Sequence, residues 1–429
     1  MKQWICLVLA LCALVALTAC GGSAPEEPAA GFQPALDPET GCQITVAGSY
    51  DNFEALEAEF DRFNRFYPNV QLSYVKLDDY NNTLGTVLEG NDKPNIFFSY
   101  SWMSGNERYA PVFALAENLS DPALGLDLGC IRPSLINHDA DGRVRMVPIF
   151  SRTYGMLVNN DLFAKEGLSV PTTWSELLAV CEAFRSRGYA SPMMGYSQTS
   201  SSCFMNTLAY PLFAASLAES PEALALANAL DPAAGESMRP ALEAMLRLIQ
   251  ADCVDLAACD AIGDNYTHVI LRFFEGDVPM MICTGDTVSG TRKRESQSEA
   301  FAAAPFRYTF SPIPLTDAGG YFIDSPSVEF SVNRTCEDLD MTNEFMRFLI
   351  TKNELNEMAS VKRLVTPTSD LSFDTVYAPF GQVPSERIIS PEVLGIQDPL
   401  TVQLRIAAFQ VGKGEISVDE AVARYGRFQ

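Results

Sequence analysis

The chain has 429 residues, of which 54 are Asp or Glu and 30 are Lys or Arg, so its formal net charge is −24. A field of this sign repels nucleic acid phosphates and excludes a nucleic-acid partner. It also disfavours an acidic substrate, unless a local basic pocket overrides the field of the whole chain.

The N-terminal residues have the pattern of a bacterial export signal. Lys2 is followed by an uncharged, apolar run from Trp4 to Leu17, which is too short to span a bilayer comfortably. Leu17-Thr18-Ala19-Cys20 then precedes two glycines and resembles a lipobox, which implies acylation of Cys20 and cleavage before it. We therefore expect residues 1–20 to be a signal peptide with its lipobox. A lipid on Cys20 would hold the mature protein on the outer side of the bacterial cell membrane. The alternative is an ordinary signal peptide that ends near a cysteine.

Residues 21–41 are rich in Gly, Ala, Pro and Glu and lack apolar periodicity, which predicts a flexible linker. The remaining residues, about 390, suffice for two or three domains. No later segment has the length and lack of charge of a transmembrane helix, so a transport role would need a separate membrane partner.

Eight cysteines follow Cys20. Outside the cytoplasm an even set of cysteines can form disulfides, and Cys253 and Cys259 are close enough in sequence to close a small loop. We therefore expect these two to pair. The alternative is that several cysteines, Cys181 and Cys283 among them, are buried free thiols.

Strands and helices alternate from the start of the predicted folded region. Gln43–Ala47 alternates as a first strand, and Asn52–Tyr67 has apolar residues at helical spacing. Val70–Val75 is a second predicted strand, Tyr80–Glu89 a second helix, and Asn95–Tyr100 a buried third strand. This order is typical of a parallel sheet that is covered on both faces.

The same alternation restarts further along the chain. Met156–Val158 is a predicted strand, and Asn160-Asp161 is predicted to cap a short helix over Leu162–Glu166. Thr173 and Glu176 have the spacing of a capping box at the start of a longer helix.

The segment from Tyr154 to Tyr189 resembles the signature of extracellular solute-binding proteins of the maltose-binding type, which serve ABC importers. The closest matches are Asn159-Asn160-Asp161-Leu162-Phe163 and Pro171-Thr172-Thr173-Trp174, while Val158 stands where the family usually has Tyr. Four further segments agree in order, namely Phe273–Ile282, Phe310–Pro314, Asn343–Val365 and Phe409–Tyr425. The resemblance therefore spans nearly all of the predicted mature chain.

The resemblance implies an α/β fold of the periplasmic-binding-protein type, with two lobes that are each a mainly parallel sheet flanked by helices. About three hinge crossings join the lobes, and we expect them near Pro148–Arg152, Ser311–Leu315 and Arg363–Pro367. Lobe 1 would then comprise residues 42–149 and 315–364, and lobe 2 residues 150–314 and 365–429. Ligand would bind in the cleft between the lobes and draw them together.

The candidate cleft residues follow predicted strands or lie at the crossings. Trp102 offers a ring for a sugar face or packs in a lobe core, and Asp51 lines the cleft or caps a helix. Arg152 binds ligand oxygens or forms an ion pair between the lobes. Asp286 and Asp324 accept hydrogen bonds from the ligand or are solvated loop charges. The full predicted set is Tyr50, Asp51, Tyr100, Trp102, Arg152, Tyr154, Tyr196, Asp286 and Asp324.

The resemblance further implies a monomeric, non-enzymatic receptor that captures a small solute and delivers it to the permease subunits of an ABC importer. A sugar is the favoured ligand, although many sugar-binding members carry Trp where this chain has Thr287. Amino-sugar derivatives, polyols, peptides and organic cations are alternative ligands. A surface-anchored glycan-active hydrolase and a sensory binding module are alternative functions. The chain has two histidines, His138 and His268, and no CxxC pair, so we expect no metal site and no cofactor.

Overall fold

The computed structural model describes residues 32–104, 106–201, 203–263 and 266–428. The predicted signal peptide, the predicted lipid-attachment residue Cys20 and residues 21–31 of the predicted linker lie outside the described residues. The end of the predicted linker is docked on the folded region from Pro34 onward. There, the backbone N–H of Ala35 donates to Glu344 Oε1 at 2.8 Å, and the N–H of Leu36 donates to the Tyr67 hydroxyl at 3.1 Å.

The strands form two larger sheets and two short pairs. Their bounds are β1 Cys42–Gly48, β2 Val70–Lys76, β3 Ile96–Ser99, β4 Val147–Pro148, β5 Ser151–Arg152, β6 Tyr154–Asn159, β7 Met193–Met194, β8 Met280–Thr284, β9 Tyr308–Ser311, β10 Phe322–Ile323, β11 Ser325–Pro326, β12 Glu329–Val332 and β13 Ile388–Ile389.

The helices cover both larger sheets. Their bounds are α1 Glu54–Phe63, α2 Tyr80–Glu89, α3 Ala110–Ala114, α4 Asn160–Lys165, α5 Trp174–Ser186, α6 Phe204–Ala218, α7 Pro221–Asn228, α8 Arg239–Gln250, α9 Leu256–Asp260, α10 Tyr266–Phe274, α11 Gly285–Ser289, α12 Thr291–Glu295, α13 Glu299–Ala303, α14 Leu339–Leu349, α15 Lys352–Lys362, α16 Pro391–Leu394, α17 Asp398–Gly412 and α18 Val418–Ala423.

The first lobe is built on a five-stranded sheet with the order β2-β1-β3-β12-β4. As predicted, β1 pairs in parallel with β2 and β3, whereas β12 runs antiparallel to β3 and β4. At Gly48, the last residue of β1, a Cβ would lie 2.5 Å from the Phe98 ring, so the close approach of the backbone to β3 requires glycine. The chain can therefore turn closely over β3 into Ser49 and Tyr50.

The second lobe is built on a four-stranded sheet with the order β7-β8-β6-β9. β6 is antiparallel to both β8 and β9, and β7 is parallel to β8. The prediction of mainly parallel sheets is thus wrong for this sheet. Neither antiparallel neighbour of β6 follows it through a direct strand–helix–strand crossover, because β7 intervenes before β8, and β9 comes later still.

Two helix starts show how local sequence sets the element boundaries. Thr173 and Glu176 form the predicted capping box at the start of α5. For α4, the predicted cap Asn160-Asp161 is wrong, because the side chain of Asn159 accepts the hydrogen bond from the backbone of Leu162 at 2.9 Å. The Asp161 carboxylate binds Arg307 instead.

The hinge joins the two lobes through β5 and β11, which pair in an antiparallel arrangement. The first crossing runs from β4 through β5 into β6, as predicted. The second crossing lies at Ser325–Val328 and not at the predicted Ser311–Leu315. The chain crosses back to the first lobe later than predicted because Leu315 and Phe322 still pack in the hydrophobic cluster of the second-lobe sheet. The third connection lies beside the first, where the Ser151 N–H donates to Val365 O at 2.9 Å.

All eight cysteines of the described residues are free thiols, so the predicted Cys253–Cys259 disulfide is wrong. The Cys253 thiol instead lies beside the thiol of Cys181 on α5. Cys181 and Cys283 are buried, which agrees with the alternative of free thiols in the core.

Candidate binding cleft

A cavity of about 1910 Å³ lies between the two lobes. The first lobe lines it with the residues that follow β1 and β3, and the second lobe with the residues that follow β8. The hinge strands β5 and β11 contribute Arg152, Ser325 and Pro326 to the wall. The carboxyl ends of strands from both lobes thus face one space, which is where open α/β folds bind ligands.

Eight of the nine predicted ligand-binding residues lie in the wall of this cavity. They are Tyr50, Asp51, Tyr100, Trp102, Arg152, Tyr154, Tyr196 and Asp286. The structure therefore brings together residues that are separated by up to two hundred and thirty-six positions in the chain. Ligand contact by each of them remains a prediction.

Asp324 does not line the cavity. Its carboxylate is 2% exposed and accepts two hydrogen bonds from the Arg132 guanidinium, at 2.8 and 2.7 Å, and one from the Ser151 hydroxyl at 2.7 Å. Asp324 is therefore neither a cavity-lining residue nor a solvated loop charge. It is one partner of a buried ion pair in the hinge. Arg132 lies 192 positions away in sequence, so no local pattern indicates this partner.

Aromatic side chains line the cavity on both lobes. In the first lobe, the rings of Tyr100 and Trp102 stack with centroids 5.9 Å apart, and the Tyr100 hydroxyl lies 2.9 Å from Ser49 Oγ. In the second lobe, the rings of Tyr154 and Tyr210 lie 4.9 Å apart. Trp102 is half-buried at the wall and is not enclosed in the lobe core. These rings offer apolar faces with hydroxyl groups at their edges.

Asp51 and Arg152 each form an ion pair at the cavity wall. Asp51 Oδ1 lies 2.9 Å from Lys76 Nζ, and this hydrogen bond holds the pKa of Asp51 below its usual value. Asp51 is not a helix cap, because α1 begins after Phe53 without a side-chain cap.

Arg152 Nη1 lies 3.3 Å from Asp286 Oδ2, while Ser327 donates to Asp286 Oδ1 at 2.7 Å. Arg152 therefore forms an ion pair from hinge strand β5 to the second lobe, and not the predicted pair between the lobes, and this ion pair forms part of the cavity wall. Arg152 Nε is buried and has no hydrogen-bond partner among the described residues.

Two buried carboxyl groups at the cleft were missed by the sequence analysis. Glu392 lines the cavity and accepts from the Ser325 hydroxyl at 2.8 Å, and burial raises its pKa to about 7. Glu329 lies on β12 and accepts from Ser101 at 2.9 Å, and burial raises its pKa to about 8. Glu329 could have been identified from the sequence, because it is a lone charge in an otherwise uncharged strand. The short segment around Glu392 has no such pattern.

Two other properties concern the described residues alone. No group of three or more His, Cys, Asp or Glu side chains in these residues is arranged to hold a metal ion. No helix within the described ranges combines the length and the apolar character needed to cross a membrane.

Two α/β lobes, a hinge made of several crossing segments and a large cavity between the lobes define a two-lobed solute-binding protein. The sequence model of the family described as bacterial extracellular solute-binding protein matches residues 47–352, and the chain belongs to this family. No curated protein matches the sequence.

Similar solved structures have the same fold. RafE from Streptococcus pneumoniae in its apo form is 15% identical, with 92% of this chain and 98% of that chain covered and a TM-score of 0.67. A sugar transporter from Bacillus licheniformis in complex with stachyose is 17% identical, with 90% and 100% covered and a TM-score of 0.61. The GacH receptor of Streptomyces glaucescens, solved also with acarbose, is 16% identical, with 90% and 97% covered and a TM-score of 0.65. At these identities the likeness establishes the fold.

Proposed function

We propose that this protein captures an oligosaccharide in the cavity between its lobes and delivers it to an ABC importer. The observation that carries the proposal is the size and lining of the cavity. Its volume of about 1910 Å³ exceeds the roughly 300–1,000 Å³ that is common for small-molecule pockets. Aromatic rings on both lobes suit the apolar faces of sugar rings, and the polar groups between them suit the hydroxyls.

The ligands of similar proteins support an oligosaccharide. The Bacillus licheniformis transporter holds stachyose, and GacH has been solved with acarbose. Both ligands are larger than one sugar ring, in agreement with the large cavity of this chain. The Thr287 side chain lines the cavity where the family resemblance would place a Trp. Tyr154, Tyr210 and Trp102 supply the aromatic faces in its place.

Closure of the hinge is the proposed mechanism. A ligand that contacts Trp102 in the first lobe and Tyr154 in the second lobe stabilises the conformation in which both contacts form. The hinge strands β5 and β11 are short and carry few hydrogen bonds between them, so a rotation of the lobes would disturb little of either core.

The proposal includes attachment to the membrane through a lipid on Cys20 and release of the ligand to permease subunits. The lipobox-like residues 17–20 support the lipid anchor, and the membership of an extracellular family supports export. In this proposal the protein is a monomer and performs no bond chemistry.

Tryptophan fluorescence during titration with a panel of oligosaccharides tests the function. We expect an oligosaccharide to bind saturably and to change the tryptophan emission of the protein. The Trp102→Phe substitution should abolish this change in emission. Trp174→Phe is the matched control, because Trp174 begins α5 under Arg247 and does not line the cavity. Absence of binding to every oligosaccharide, by calorimetry as well as fluorescence, would reject the proposal. Hydrolysis of a panel member by the pure protein would favour the glycan-active enzyme.

A further inference from the structure

Cations from both lobes meet at one end of the cavity. Lys362, the last residue of α15, comes from the first lobe, and Arg292, Lys293 and Arg294 of α12 come from the second lobe. Burial lowers the pKa of Lys362, and the nearby charges of Lys293 and Arg294 lower it further. Four positive side chains therefore share one region of the wall in a chain whose net charge is −24.

Carboxylates near the cluster neutralise it incompletely. Glu54 Oε2 lies 3.9 Å from Lys362 Nζ and its side chain is 54% exposed, so the pair is loose and screened by water. Asp51 already binds the ammonium of a lysine on β2. Glu295, the next carboxylate on α12, lies 2.6 Å from the guanidinium of Arg363. Lys362 itself lies over the Tyr50 ring, with its ammonium 4.8 Å from the centroid.

The second-lobe cations are likewise only partly paired. Arg292 Nη2 lies 3.5 Å from Asp374 Oδ2. Arg294 stacks over the Tyr266 ring at 5.3 Å, and its Nε is buried without a hydrogen-bond partner among the described residues. Lys293 is exposed, and no described carboxylate lies within ion-pair distance of its ammonium. The exposed ammonium of Lys293 is therefore free to bind an anion at this end of the cavity.

We propose that this cluster is a subsite for a negatively charged group and that the ligand is an acidic oligosaccharide, in which a uronic acid carboxylate binds between Lys362 and Lys293–Arg294. The inference rests on the proposed function. Ammonium and guanidinium groups form charge-assisted hydrogen bonds with carboxylates, which are stronger than neutral ones. The cluster is the local basic pocket that a chain of strongly negative charge needs in order to bind such a ligand.

The position of the cluster across the cleft gives the anion a second effect. In the absence of an anion, Lys362 and the cations of α12 repel each other, which opposes approach of the lobes. A carboxylate between them is attracted to both sides. The anion therefore binds the closed conformation more tightly than the open one, which is the condition for a ligand to drive closure.

Calorimetry with matched ligands tests the proposal. The probes are trisaccharides of galacturonic, glucuronic and mannuronic acid, the carboxyl-reduced neutral form of each, and a sulfated trisaccharide. We expect one uronate to bind at least about tenfold more tightly than its reduced form. Raising the salt concentration should shrink that difference, because the charges are partly exposed.

The calorimetric results separate the inferred anion subsite from the proposed function. Tighter binding of the sulfated sugar than of any uronate would keep the anion subsite and assign it to a sulfate ester. Binding of neutral trisaccharides that equals or exceeds that of the acidic ones would overturn the inference and leave the proposed function intact. Absence of binding by neutral and acidic sugars alike would overturn both.

Two charge-removing variants locate the anion. Lys293→Gln changes an exposed side chain, and Lys362→Gln changes its partner on the other lobe. Each should weaken uronate binding by about tenfold and should weaken binding of the neutral sugar by a smaller factor. Lys352→Gln is the control, since Lys352 lies on α15 outside the cavity and pairs with Asp370. Unchanged uronate affinity in both cavity variants, with thermal unfolding showing that they are folded, would contradict the assignment.

Discussion

Asp324 joins separate parts of the hinge through a single carboxylate. It binds Arg132 and Ser151, and the same guanidinium donates to the carbonyls of Thr366 and Thr368 at 2.7 and 2.8 Å. The side chains of Arg132 and Asp324 are 11% and 3% exposed, so water compensates little of their charge. Removal of one partner from such a pair leaves a buried charge without its counterion.

We therefore expect Asp324→Asn to lower the free energy of unfolding by about 3 kcal/mol. Urea denaturation monitored by circular dichroism measures this change. Asp419→Asn is the control, because Asp419 pairs with Arg239 at 2.7 Å but its side chain is 85% exposed. The control should cost less than about 1 kcal/mol. If the two substitutions lowered the free energy of unfolding equally, the buried hinge ion pair would contribute no more to stability than the exposed ion pair.

Most candidate residues of the cleft were predictable because they follow strands. Tyr50, Tyr100 and Asp286 come within two residues of the ends of β1, β3 and β8, and the carboxyl ends of these strands open on the cavity. Lys362 and Glu392 were not predictable in this way. Each lies at a helix end or in a short helix, and its place in the cleft depends on contacts between distant segments.

At the scale of one element, β12 carries a carboxyl group inside the first-lobe sheet. Glu329 is fully buried between β3 and β4, and burial raises its pKa from 4.5 to about 8. Between these two values the unfolded chain releases the proton that the folded chain keeps. The free energy of unfolding therefore falls as the pH rises through this window.

Glu329→Gln should remove this dependence. We expect the variant to gain stability relative to the original chain between pH 5 and pH 8, by up to a few kcal/mol, because each pKa unit corresponds to about 1.4 kcal/mol. Urea denaturation at the two pH values measures it, with the exposed Glu57→Gln on α1 as the matched control. If the free energy of unfolding fell equally with rising pH in the original chain and in Glu329→Gln, the assignment of this pH dependence to Glu329 would be wrong.

Local sequence patterns predicted the positions of helices and strands better than they predicted the direction in which the strands pair. The predicted helix over Asn52–Tyr67 is α1, which is shorter because residues 64–66 form a turn and Tyr67 is instead held by Glu344. The strand pattern of Met156–Val158 identified β6 but not its antiparallel neighbours. Strand direction depends on the path of the chain between the strands, and hydrophobic periodicity carries no information about that path.

At the scale of the whole molecule, the predicted lipid anchor determines where the protein works. In a bacterial host we expect the full-length protein to sediment with membranes and Cys20→Ala to move to the soluble or secreted fraction. Fractionation with detection of the C-terminus measures this. Cys42→Ala changes a cysteine of the folded region and should leave the protein in the membrane fraction. Membrane retention of Cys20→Ala would argue for an uncleaved signal or another anchor.

The free thiols of the described residues have a consequence for the environments in which this receptor operates. Because no disulfide joins those parts of the chain, we expect them to fold without an oxidising catalyst after the proposed export. Packing, hydrogen bonds and ion pairs hold these parts of the chain, so we expect a strongly reducing, oxygen-free habitat to leave the receptor as stable as an aerated one.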